Sequence, residues 1–115
     1  MAKVEVTRSL EEKVHKTFRS ESVQVFQHMK LLEKNPSKGK LLGTVGGIII
    51  KELKFKNFRF YFITDGFKIK CLRSEDLTDL LIMFIRMSDK KHQQKTINEI
   101  KHILRTIGPS YFEKE

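Results

Sequence analysis

The chain's 115 residues leave room for one compact domain. With 39% hydrophobic residues, 32% charged and nine phenylalanines, it has enough apolar material for a core, which excludes a disordered chain. The 23 Lys+Arg outweigh 14 Asp+Glu for a net charge of +9, a balance that suits a small domain meeting a polyanion, either nucleic acid or an anionic protein surface.

Other classes fall away by inspection. Cys71 is the one cysteine, so there is no intrachain disulfide and no cysteine-based zinc site. The longest apolar run, Leu80 to Ile85, is far shorter than a membrane span. The opening stretch Met1 to Arg8 is too charged for a signal peptide. A single cytoplasmic domain over residues 1–115 is expected, with no membrane partner.

Residues 3–7 alternate as a short strand. From Ser9 to about residue 34 the apolar spacing is helical, with Leu10, Val14 and Phe18 followed by Val25, Phe26, Met29 and Leu32. Ser9 and Glu12 form a capping box, and Ser20-Glu21-Ser22 breaks the run into a helix hairpin that closes near Asn35-Pro36. Residues 36–47, with glycines at 39, 43, 46 and 47, read as a flexible loop, since they lack the spacing of a phosphate-binding loop.

At Ile48 the period changes to two. Residues 48–55 and 58–63 read as strands joined by a Lys56-Asn57 turn, which sets Phe55 opposite Phe58, Lys54 opposite Arg59, Leu53 opposite Phe60 and Glu52 opposite Tyr61. Leu53, Phe55, Phe58, Phe60 and Phe62 then form the core face, and Glu52, Lys54, Arg59 and Tyr61 the other. A third strand is expected at Phe67–Leu72, an acidic loop at residues 74–79 and a buried strand from Leu80 to Arg86. Ser88 would cap a last helix over residues 89–107, with its stripe at Ile97, Ile100, Ile103, Leu104 and Ile107, stopped by Gly108-Pro109. The expected fold is α+β: an N-terminal strand and helix hairpin, a curled antiparallel sheet with helices on one face, and a C-terminal helix.

The excess charge is unevenly spread. Residues 48–73 carry a net +5, residues 80–107 a net +4 and residues 30–40 a net +3. Cations interleaved with aromatic rings suit RNA, where lysines meet phosphates and rings stack on unpaired bases. Solvated lysines that block edge pairing are the plainer explanation of such a face. A like-charge pair such as Lys54 and Arg59 costs stability, and such costs are better tolerated at functional sites.

Three short motifs carry a resemblance. Asn35-Pro36-Ser37-Lys38-Gly39-Lys40-Leu41-Leu42-Gly43 is similar to a loop of RelE/HigB-like toxins. Glu52-Leu53-Lys54 followed by Phe58-Arg59-Phe60-Tyr61-Phe62 resembles their paired strands, and Phe84-Ile85-Arg86-Met87-Ser88-Asp89-Lys90-Lys91 their strand-to-helix junction. Lys54 stands where the family usually has arginine, and Met87 where it usually has a second lysine. The segment Lys70–Asp79 is longer than the family's usual connection.

The resemblance implies a RelE-like fold and a metal-independent endoribonuclease that cuts mRNA on the ribosome, without a cofactor, and is neutralised by an antitoxin. Attack of the 2′-OH on phosphorus needs a base, cations for the phosphorane and an acid for the 5′-oxygen. Matching positions assign the cationic role to Lys54, Lys56, Arg59 and Arg86; an arginine fork meets two phosphate oxygens at once. Glu52 either acts as base or pairs with Lys54, and His92, Tyr61 and Tyr111 are the candidate proton donors. RNA contacts would come from Lys38, Lys40, Lys51, Lys56, Tyr61, Lys90 and Lys91. No metal is expected, since His15, His28 and His102 lack ligand partners at helical spacing. The antitoxin would carry an acidic contact region. Two other functions stay open: a ParE-like gyrase-targeting or inactive superfamily member, and a non-catalytic RNA-binding module.

Overall fold

The computed structural model describes residues 2–66 and 80–107. Strand β1 (Lys3–Val6) leads into helices α1 (Arg8–Phe18) and α2 (Ser22–Lys30), joined by a 3-10 turn at Arg19–Glu21. Then come β2 (Lys40–Val45), β3 (Ile48–Phe55), β4 (Phe58–Asp65), β5 (Leu81–Asp89) and helix α3 (Gln93–Ile107). The expected pair of helices is present, its break at Arg19–Glu21, one residue before the expected Ser20-Glu21-Ser22. The expected third strand at Phe67–Leu72 and the acidic segment after it lie outside the described residues.

The sheet corrects the expectation of a curled antiparallel layer. Its strand order is β1-β5-β4-β3-β2, open at both ends, and mixed because β1 runs parallel to β5. The helix hairpin begins the long crossover that a parallel pair requires. Nor do the helices share one face. Leu10 and Val14 of α1 and Val25 and Met29 of α2 pack with Leu53, Phe60, Phe62 and Phe84 on one side. Ile97, Ile100 and Leu104 of α3 pack with Ile50, Tyr61, Ile63 and Met83 on the other. Strand neighbours alternate between faces, so the sheet is the middle of three layers. With both faces covered, it has no need to curl around its own core.

The β3–β4 hairpin has the register read from its two-residue turn: Phe55↔Phe58, Lys54↔Arg59, Leu53↔Phe60 and Glu52↔Tyr61. Phe18 packs against the turn end of this hairpin, its ring edge-on to Phe55 and Phe58 at 5.8 and 5.2 Å between centroids. Residues 40–45, expected as loop, are a strand paired with β3 across a Gly46-Gly47 turn. Both glycines have positive φ, the conformation that a two-residue hairpin turn of this kind needs and that hid the strand in a glycine-rich stretch.

Helix starts also differ from expectation. Helix α1 begins at Arg8, with Thr7 in extended conformation before it, so Ser9 lies inside the helix and makes no cap. Ser88 belongs to β5 rather than capping α3. It is Asp89 that turns the chain, its Oδ1 accepting the His92 backbone N–H at 2.9 Å and the His92 Nδ1–H at 2.8 Å.

Candidate nucleic-acid interface

The end of the sheet where β3 and β4 meet carries two adjoining clefts. One, of about 540 Å³, is lined by Lys38, Lys40, Glu52, Lys54 and Arg59, with His28 reaching in from α2. The other, of about 480 Å³, is lined by Lys54, Lys56, Asn57, Arg59, Lys90 and Lys91, with Asp89 at its margin. Lys54 and Arg59 belong to both. Seven of the cations singled out in the sequence therefore meet on one continuous surface, drawn from the loop before β2 and the first residue of β2, from β3, β4 and the turn between them, and from the β5–α3 turn.

Local chemistry explains how each is presented. The Lys56-Asn57 turn ends the hairpin with Lys56 at φ 54°, and its Nζ pairs with the Glu21 carboxylate. Gly39 sits at φ +109°, where a Cβ would meet the Phe62 ring at 2.7 Å. Glycine is therefore required between Lys38 and Lys40 for the chain to pass this close to the core. Beyond Lys40 the edge of β3 has no β2 partner, and there the His28 Nε2–H donates to the Lys54 carbonyl at 3.3 Å.

Glu52 is recessed, 7% exposed, and its carboxylate accepts a 3.0 Å bond from Gln93 Nε2 at the start of α3. A carboxylate so held beside Lys54 and Arg59 can take a proton from a group laid in the cleft, since one oxygen stays oriented by the amide.

Other expected site residues fall elsewhere. Tyr61 is fully buried beneath α3, its hydroxyl sharing a 2.8 Å bond with Ser88 Oγ, so it offers no stacking surface to a base. Burial pushes the Tyr61 phenol above its ordinary range. Lys51 is likewise withdrawn, its Nζ donating to the Ser37 carbonyl at 2.9 Å, and burial lowers its pKa. Arg86 and His92 line a different cleft, beside Lys13 of α1 and Lys95 of α3. Tyr111 lies outside the described residues.

Arg86 is diverted by a bulge. Phe62 pairs with Phe84 but Tyr61 with Arg86, so Ile85 is an extra residue in β5. Phe84 and Met87 thereby share one core and Ile85 joins Met83 in the other. Sequence reading did not assign His28, which lines the cleft, or Gln93, which holds the Glu52 carboxylate. Nothing in helical spacing signals them, because both arrive on helices placed by packing.

Among the described residues no group of three or more His, Cys, Asp or Glu could hold a metal ion, and no helix is long and apolar enough to cross a membrane. Comparison with known family models, with curated proteins and with solved structures finds no match to this chain.

Proposed function

We propose that the chain binds RNA across the Lys54–Arg59 clefts and cleaves it there as a metal-independent endoribonuclease, acting on mRNA at the ribosome. The observation that carries this reading is the sharing of Lys54 and Arg59 between two clefts, one of which also holds the recessed carboxylate of Glu52. A phosphodiester lying over these two side chains would have its non-bridging oxygens between fixed cations, where phosphorane charge develops.

In this reading the Glu52 carboxylate takes the proton of the 2′-OH as that oxygen bonds to phosphorus. The bond from phosphorus to the 5′-oxygen breaks, leaving a 2′,3′-cyclic phosphate. The departing oxygen takes a proton from the imidazolium form of His28 in the same cleft, through Nδ1, the ring nitrogen that does not face the Lys54 carbonyl, leaving the neutral imidazole. Gln93 orients Glu52 and takes no part in proton transfer. The short motifs shared with RelE/HigB-like toxins point the same way, and an antitoxin with an acidic contact region would neutralise the surface. Charge reversal at Lys54, Lys56 and Arg59 together should then abolish antitoxin binding, read by co-purification.

A second reading, an RNA-binding module without chemistry, draws support from the displacement of Tyr61 and His92 away from the cleft. One experiment separates the two. Purified protein is added to cell-free translation of a defined mRNA, and cuts are mapped by primer extension with and without ribosomes. Discrete cuts that need ribosomes and vanish in an Arg59→Ala, Glu52→Gln variant support cleavage. Uncut message with RNA still retained by the protein supports the binding module, and no retention at all overturns both.

A further inference from the structure

Strand β1 covers the outer edge of β5 only as far as Phe84. From Ile85 onward that edge has no strand partner among the described residues, and a groove opens along it between α1 and α3. It comprises a cleft of about 340 Å³ and another of about 310 Å³, with Lys13, Arg86 and Met87 common to both. Lys95 adds a third cation from α3, against Asp89 and Glu99.

This groove adjoins the interface described above. Asp89, at the turn from β5 into α3, lines both the Lys54–Arg59 side and the Arg86 side. Its carboxylate is tied to His92, which holds its pKa below the ordinary value and orients it along the turn. Lys90 and Lys91 follow it directly and face the first side. A chain of cations thus runs from Lys38 through Arg59 and Lys91, past the Asp89–His92 pair, to Lys95, Arg86 and Lys13.

We infer that the groove between α1 and α3 is a continuation of the RNA track, so that the ligand is an extended single strand passing around the end of β5. The inference rests on the RNA-binding reading above and adds to it the length and path of the ligand. The geometry favours a single strand over a duplex, because the track turns around a strand end and a flexible backbone can follow it. It favours RNA over an acidic peptide added to the β5 edge, because two backbone carbonyls near that edge already have local partners. Arg86 Nη1 donates to the Ile85 carbonyl at 2.8 Å, and Ser88 Oγ to the Asp89 carbonyl at 2.9 Å. Arg86 accordingly serves as a phosphate-binding residue distant from the cleavage point.

The test is fluorescence anisotropy with oligouridylates that carry 2′-O-methyl groups, so that none can be cut, at lengths of about 4 and about 12 nucleotides. The full-length protein is compared with a Lys13→Ala, Lys95→Ala variant, neither residue being part of the proposed cleavage centre. The wild type should bind the longer strand more tightly. The variant should lose about tenfold on the longer strand and nothing on the shorter, and the slope of log affinity against log salt should flatten by about 0.7 for each phosphate no longer neutralised. Equal affinity of wild type and variant for the longer strand would overturn the inference while leaving the Lys54–Arg59 surface as an RNA site. In that case a polyglutamate peptide retained by the wild type and released by the variant would assign the groove to an acidic protein segment. Failure of the wild type to bind either oligonucleotide would overturn the RNA reading itself.

Discussion

Lys54 and Arg59 face each other directly across the β3–β4 pair, two cations in register with no acid between them. Like charges opposed on a sheet are destabilising, by a few tenths of a kcal/mol to about 1 kcal/mol. An RNA phosphate bound between them would remove that repulsion, so the pair is better suited to a ligand-bound state than to the free protein. Lys54→Glu should raise the melting temperature, as an opposite-charge pair replaces a like-charge one, and should sharply lower RNA affinity. Thermal denaturation and anisotropy on the same sample check both directions. A fall in both would mean that the lysine supports the fold.

Gly39 ties the site to the core. A Cβ there meets the Phe62 ring at 2.7 Å on a backbone that side chains rarely adopt, whereas one at Gly46 meets nothing within 4 Å. Gly39→Ala is expected to cost about 1–3 kcal/mol from backbone strain, with the ring clash in addition. It should also weaken RNA binding, because Lys38 and Lys40 flank it. Gly46→Ala, also at positive φ, should carry the strain alone and leave RNA binding unchanged. Urea denaturation with parallel binding measurements separates the two.

The Tyr61–Ser88 bond predicts an alkaline phenotype. Burial keeps the phenol protonated, so its folded-state pKa lies above the ordinary value of 10.0. Between those values the folded form holds a proton that the unfolded chain has released, and stability falls as pH rises above 10.0. Below that point the contribution is fully present. Tyr61→Phe should lower stability near neutrality by about 1 kcal/mol, the worth of one hydrogen bond. It should also flatten the loss above pH 10.0. Denaturant titrations at neutral and alkaline pH check the crossing of the two curves.

Gln93 positions Glu52 across the sheet end. Gln93→Ala frees the carboxylate without changing the net charge of the cleft. Cleavage should fall by about tenfold in kcat with KM unchanged, as expected for a misplaced proton acceptor. Unchanged kcat would remove Gln93 from the positioning role.

Much of the hairpin was readable in advance. A two-residue turn between runs of alternating phenylalanines leaves one register that buries Leu53, Phe60 and Phe62 together, and Lys54 opposite Arg59 follows from it. The helix hairpin was legible for a similar reason: Leu10, Val14, Val25 and Met29 recur at helical spacing and are all buried. These are local facts, set by side-chain periodicity and turn length. The mixed sheet was not of that kind, because β1 finds β5 through pairing some eighty positions along the chain that no local pattern encodes.

The site divides along the same line. Its cations, Lys54 and Arg59 above all, follow from sequence because a hairpin carries its own geometry. That Glu52 and Tyr61 are buried could not be read there, since the alternation fixed which face they share but not that α3 would cover it. The bulge at Ile85 decided that Arg86 joins Lys13 rather than Arg59, and packing of α2 and α3 against opposite faces brought His28 to the cleft and Gln93 to the Glu52 carboxylate. Composition and periodicity determined a basic α+β chain with a charged hairpin. Which charges share a surface was decided by tertiary packing, because faces of separate elements meet only once the core has chosen their positions.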